Sequence, residues 1–193
     1  MKLSLLSILL GAGMSLPQIY GLAQPGKFAA AARKLPRNLP LGIALMLLAT
    51  GWFVWNVNVE PIADFSAFKP YMLAGFAAVG VGSCIFVQDF LAVRAIAVLA
   101  LLLGKVMVDT GRPYLPTATF QAQQGESSWV LVIQTWAYIL IAAGIWFTVT
   151  PWKLRDLLEF TTANETRVRI GSAIRLAFAV FILTLGLTVF RPM

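Results

Sequence analysis

Six stretches of this chain, residues 3–22, 39–57, 70–87, 90–108, 129–149 and 170–190, are apolar almost without interruption. Each is about 18 to 21 residues long, the length of helix that crosses a hydrocarbon layer of roughly 30 Å at 1.5 Å per residue. Inside lipid a backbone has no water to bond, so an open segment satisfies its own N–H and C=O groups only as a helix. The sequence therefore predicts an all-α, polytopic integral membrane protein, a single domain over residues 1–193 built as a six-transmembrane-helix bundle. The third and fourth spans are separated only by Gln88-Asp89, which makes them a tight hairpin.

Charge supports a membrane rather than an aqueous setting. Only 12% of residues are charged while 59% are hydrophobic, too few charges to coat a water-soluble surface. The net charge of +7 arises from 15 Lys+Arg against 8 Asp+Glu. In a membrane protein such an excess marks cytoplasmic loops, and nucleic acid is not an expected partner. The first connection holds Lys27, Arg33, Lys34 and Arg37, and the fifth holds Lys153, Arg155, Arg167 and Arg169. These are the expected membrane-surface and lipid contacts, and they place the odd-numbered loops inside. Both termini then lie outside, against the pull of Lys2. A bacterial cytoplasmic membrane is the expected location. The apolar stretch after Met1-Lys2 imitates a secretory signal, but 11–15 make a poor cleavage site, so it is read as a retained first helix. Trp52, Trp55, Tyr71, Trp129 and Trp152 fall near span ends, where amphipathic rings settle among headgroups.

Two cytoplasmic connections are expected to form short amphipathic helices lying in the interface. In the first, Phe28, Ala31, Ala32 and Leu35 share a face, with Lys27 and Lys34 at its margin. The second begins with Thr150 as candidate N-cap and Pro151 at the first helical position. Its Leu154, Leu157, Leu158 and Thr161 oppose Arg155, Asp156 and Glu159. The resemblance of the two hairpins hints at an internal repeat, although two ordinary hairpins explain it as well.

Few residues could carry chemistry. Lys105 and Asp109 lie one turn apart on the fourth span with Arg112 just beyond, a possible contact for a partner or solute. A pair that only lowers the cost of insertion is the simpler account. Gln134 is the deepest uncharged polar group in a span, suited to an interhelical hydrogen bond or a solute contact. Arg94 is expected to pair with Asp89 at the membrane surface, and Arg175 to snorkel inward. Ser7, Gly11 and Ser15, and likewise Ala74, Ala78 and Gly82, recur every fourth residue as stripes for close helix packing.

What the chain lacks excludes more. Without histidine there is no metalloprotease set, bis-histidine haem site, histidine-dependent phosphatase or Ser–His hydrolase. The single Cys84 allows no intrachain disulfide and no CxxC pair, and it is expected as a packed thiol. There is no Walker loop and no GxGxxG. Asp89 and Asp109 sit at opposite ends of one span, too far apart for an aspartyl dyad. The chain is therefore expected to be no enzyme and to need no cofactor or metal. The expectation is a non-catalytic accessory or structural subunit of a larger membrane assembly, associated with lipid and with other subunits or itself. The alternative is a small-solute transporter or substrate-binding component, with Lys105, Asp109 and Gln134 in one polar cavity.

Overall fold

The structure, a computed structural model, describes residues 2–60, 68–115 and 127–191. Among them the secondary structure is helical throughout: α1 (Leu3–Ala23), α2 (Pro25–Lys34), α3 (Leu39–Val59), α4 (Lys69–Phe86), α5 (Leu91–Gly111), α6 (Val130–Val149), α7 (Pro151–Thr161) and α8 (Glu165–Leu187). Single 3-10 turns lie at Leu35–Arg37 and Arg112–Tyr114. Six of these helices, α1, α3, α4, α5, α6 and α8, are long and apolar enough to cross a membrane.

Local chemistry explains several boundaries. Asn38 ends the first connection, and its side-chain oxygen accepts the Leu41 N–H at 3.1 Å, capping α3 with Pro40 in the first turn. Between α4 and α5 the chain turns at Phe90, whose φ of 54° is left-handed and incompatible with a continuing helix. Three expectations shift. Helix α8 begins at Glu165, so Arg167 and Arg169 lie in its first turns rather than on the connection. Helix α5 runs on through Gly111, past residue 108, where the apolar run predicts its end. The Thr150 hydroxyl does not cap α7; it donates to the Trp146 carbonyl at 2.9 Å, closing the end of α6. The sequence reads Pro116 as a turn and the polar run 121–126 as a connector or partner surface; both lie outside the described residues.

The chain divides into two compact units. The first joins Met1–Arg33, Leu103–Ile141 and Leu157–Met193. Its core contains Leu3, Leu6, Met107, Ile133, Ile182 and Phe190, all buried. Helices α1 and α8 run antiparallel along a seam of small residues. Gly11 faces Ala179 and Leu183, Gly21 faces Ser172, and Gly186 faces Ser7 and Ile8. A methyl group on Gly11 would stand 2.7 Å from the Leu183 Cβ and 2.8 Å from the Ala179 carbonyl oxygen, so only hydrogen fits there. Of the stripe Ser7, Gly11 and Ser15, the first two are buried. Trp136 and Phe178 meet edge to face, ring centres 5.2 Å apart, on the same unit.

The second unit joins Lys34–Leu102 and Ala142–Asp156. Met46, Cys84, Leu91 and Ala95 form its core. Helix α4 packs on α3 through Gly80 against Thr50 and through an edge-to-face pair, Phe53 and Phe76, with centres 5.0 Å apart. Cys84 is a buried free thiol bonded to the Gly80 carbonyl at 3.6 Å. Helix α4 is little covered: 6% of its apolar window is buried, against 44% for α5. Ala74 and Ala78 lie on the exposed side with Tyr71, Val81 and Ile85, and a Cβ added at half-buried Gly82 would meet only Phe86 of its own helix.

Candidate functional site

The C-terminal half of α5 carries the ionisable pair singled out from the sequence. Lys105 Nζ donates to Asp109 Oδ2 at 2.7 Å, as residues four apart on one helix face can. Both side chains lie on the surface, 40% and 51% exposed. Arg112 is also exposed, opening the 3-10 turn. Gln134 is placed differently. It projects from α6 into the first unit's core, where its Nε2 donates to the Val108 carbonyl at 3.1 Å. Gly111 allows that approach, since a Cβ there would stand 2.5 Å from the Gln134 amide nitrogen. The Gln134 Oε1 is buried and accepts no hydrogen bond from the described residues. Gln134 thus serves as an interhelical tie, while Lys105 and Asp109 face outward. Two cavities of this unit have largely apolar linings, one of them from Leu131, Thr135, Trp136 and Phe178, and neither includes Lys105, Asp109 or Gln134.

The second unit holds a site that sequence reasoning missed. Arg94 stands in the first turn of α5 and does not pair with Asp89. The turn at Phe90 leaves Asp89 outside the helix, five residues back, so no helical face joins the two. The guanidinium instead donates from Nη1 to the Thr148 carbonyl near the end of α6, at 3.3 Å. Its Nε is buried without an acceptor among the described residues. The arginine borders a cavity of about 300 Å³. Met46, Ala49, Thr50 and Phe53 of α3, Phe76, Val79, Gly80 and Ser83 of α4, and Val98 form its remaining wall with Thr148. The hydroxyls of Thr50, Ser83 and Thr148 donate to their own helices at 2.8 Å, leaving their oxygens able to accept. The cavity is thus apolar with one permanent positive charge at its edge. The signal available in the sequence was an arginine with no acid three or four residues away on its own helix.

Several of the basic side chains have individual partners. Arg33 Nε donates to Thr162 Oγ1 at 2.9 Å and its Nη2 to the Thr162 carbonyl, so the end of α2 caps the end of α7. Arg155 pairs with Asp156 at 2.8 Å. Arg167 lies over the Phe160 ring, 4.8 Å from its centre, and Arg175 Nε donates back to the Gly171 carbonyl at 2.9 Å. These two arginines flank an open apolar groove of about 550 Å³ with Ile170 and Ile174. Lys27, Lys34, Arg37, Lys153 and Arg169 are exposed. Among the described residues, no three acidic or cysteine side chains come together in a group able to hold a metal ion. Compared with known protein families, curated proteins and solved structures, the chain matches none.

Proposed function

We propose that this chain is a non-catalytic integral membrane protein that serves as a small accessory subunit of a larger assembly in a bacterial-type cytoplasmic membrane. The observation that carries this reading is the open face of α4. Tyr71, Ala74, Ala78, Val81 and Ile85 lie along one side of a helix of membrane-spanning length and are exposed. Small residues four apart give a neighbouring backbone close access, and van der Waals packing of that kind drives helix association in lipid. The odd-numbered loops are cytoplasmic on this reading and the termini outside. Helices α2 and α7 lie flat at the inner interface, with exposed cations beside exposed apolar residues such as Leu157 and Trp152.

The test uses a Cys84→Ser chain carrying Ala78→Cys, oxidised in native membranes. A cross-linked band of one defined mass, either twice the chain or the chain plus one other subunit, supports the proposal. Cross-linking no greater than that of Phe86→Cys, an exposed position off the stripe, overturns it.

A second reading, a substrate-binding membrane component, draws support from the Arg94 cavity. It shifts the solute contact from Lys105, Asp109 and Gln134 to the other unit. A solute that raises the melting temperature of the wild-type chain and leaves Arg94→Gln unmoved would favour it.

A further inference from the structure

We infer that the Arg94 cavity binds a single-chain anionic amphiphile, its carboxylate or phosphate held by the guanidinium and its acyl chain lying among Phe53, Phe76 and Val98. Three observations converge. The guanidinium offers five donors in a planar fork, and the described residues take up only one, through a 3.3 Å bond to a neutral carbonyl. No carboxylate of the described residues forms an ion pair with it. A permanent charge beside an apolar cavity, so poorly compensated, is costly unless an anion completes it. Carboxylate and phosphate match the fork geometrically, since each accepts two parallel N–H bonds.

The remaining wall selects the rest of the ligand. Aromatic and aliphatic side chains dominate it, and the hydroxyls of Thr50 and Ser83 already donate to their own backbones. A volume of about 300 Å³ lies at the lower end of ligand pockets and suits one chain rather than two. Arg94 lies in the first turn of its span, close to where an anionic headgroup sits when its chain enters the bilayer. The inference does not depend on the assembly role of α4, because that helix lines the cavity through Phe76, Val79, Gly80 and Ser83 rather than through Tyr71, Ala74, Ala78, Val81 and Ile85.

The experiment is native mass spectrometry of the full chain released from neutral detergent, in the presence of oleate, 1-oleoyl-lysophosphatidate or uncharged monoolein. The wild-type chain should carry one oleate or one lysophosphatidate and no monoolein at the same concentration. Retention of oleate alone identifies a fatty-acid site, of lysophosphatidate alone a phosphate site, and of both a site that reads only charge. Arg94→Gln, which keeps hydrogen-bond donors without the charge, should weaken binding about ten-fold or more, and Arg94→Lys should retain part of it. Monoolein binding as well as the anions, or equal occupancy in Arg94→Gln, overturns the inference. If Arg94→Gln does not fold, the three-lipid comparison in the wild-type chain still decides, and Val98→Phe should abolish the adduct by filling the cavity.

Discussion

Replacing Gly11 by alanine isolates the close packing of α1 on α8. In the interior of any helix, glycine to alanine gains about 0.5–1 kcal/mol from the backbone entropy that glycine loses on folding. Gly13 shows that gain alone, because a Cβ added there meets nothing within 4 Å. At Gly11 the same atom would stand 2.7 Å from the Leu183 Cβ and 2.8 Å from both the Ala179 oxygen and the Leu183 nitrogen. Two of those three neighbours are backbone, so the helices themselves must part. Overpacking of this kind costs about 1–3 kcal/mol. The helix-propensity gain is common to both variants and cancels, which leaves Gly11→Ala about 1–3 kcal/mol less stable than Gly13→Ala. At roughly 2–4 °C per kcal/mol for a chain of this size, melting temperatures should differ by roughly 2–12 °C. Scanning fluorimetry of the native tryptophans in one fixed detergent measures this. Adding Leu183→Ala should not restore stability, since the backbone atoms stay where they are. A Gly11→Ala protein that melts with Gly13→Ala, or above it, refutes the seam.

Other outcomes follow from single contacts. Arg33→Ala and Thr162→Val should be coupled by about 0.5–1.5 kcal/mol in a double-mutant cycle of unfolding in mixed micelles, and additivity would mean the cap is not formed. Gln134→Leu should be close to neutral in the same assay, because it removes a buried, unpaired Oε1 together with one hydrogen bond; a loss above about 3 kcal/mol would mean that oxygen is engaged. Gly80→Ala should destabilise the α3–α4 pair, since its Cβ would stand 2.1 Å from Thr50 Oγ1 and 2.4 Å from Cγ2. Thr50→Ala, which deletes both atoms, should recover part of that loss in thermal melts.

Hydropathy located the six long helices because lipid demands a minimum apolar length, and that demand is written locally along the chain. It was blind to helix that continues past the apolar stretch. Glu165, Arg167 and Arg169 are good helix formers, and Glu165 suits the positive end of α8, yet their charges read as loop. The Arg94–Asp89 expectation failed on backbone direction, set by the left-handed Phe90, for which sequence spacing gives no warning. Helix faces were harder still. Both lipid and neighbouring helices accept apolar side chains, so pattern alone could not tell the covered glycine of α1 from the exposed alanines of α4. Arg33 and Thr162 lie 129 residues apart, a distance across which no local rule operates.

The antiparallel seam between α1 and α8 has a consequence for biogenesis. Helix α1 leaves the ribosome well before α8, so its glycine-lined flank stays bare until α8 has been made. Contacts of such sequence separation form late and carry a large loop-closure entropy. A nascent chain stalled before Glu165 would therefore present Gly11 and Gly21 to whatever helix or membrane chaperone passes, a long window in which misassembly competes with completion.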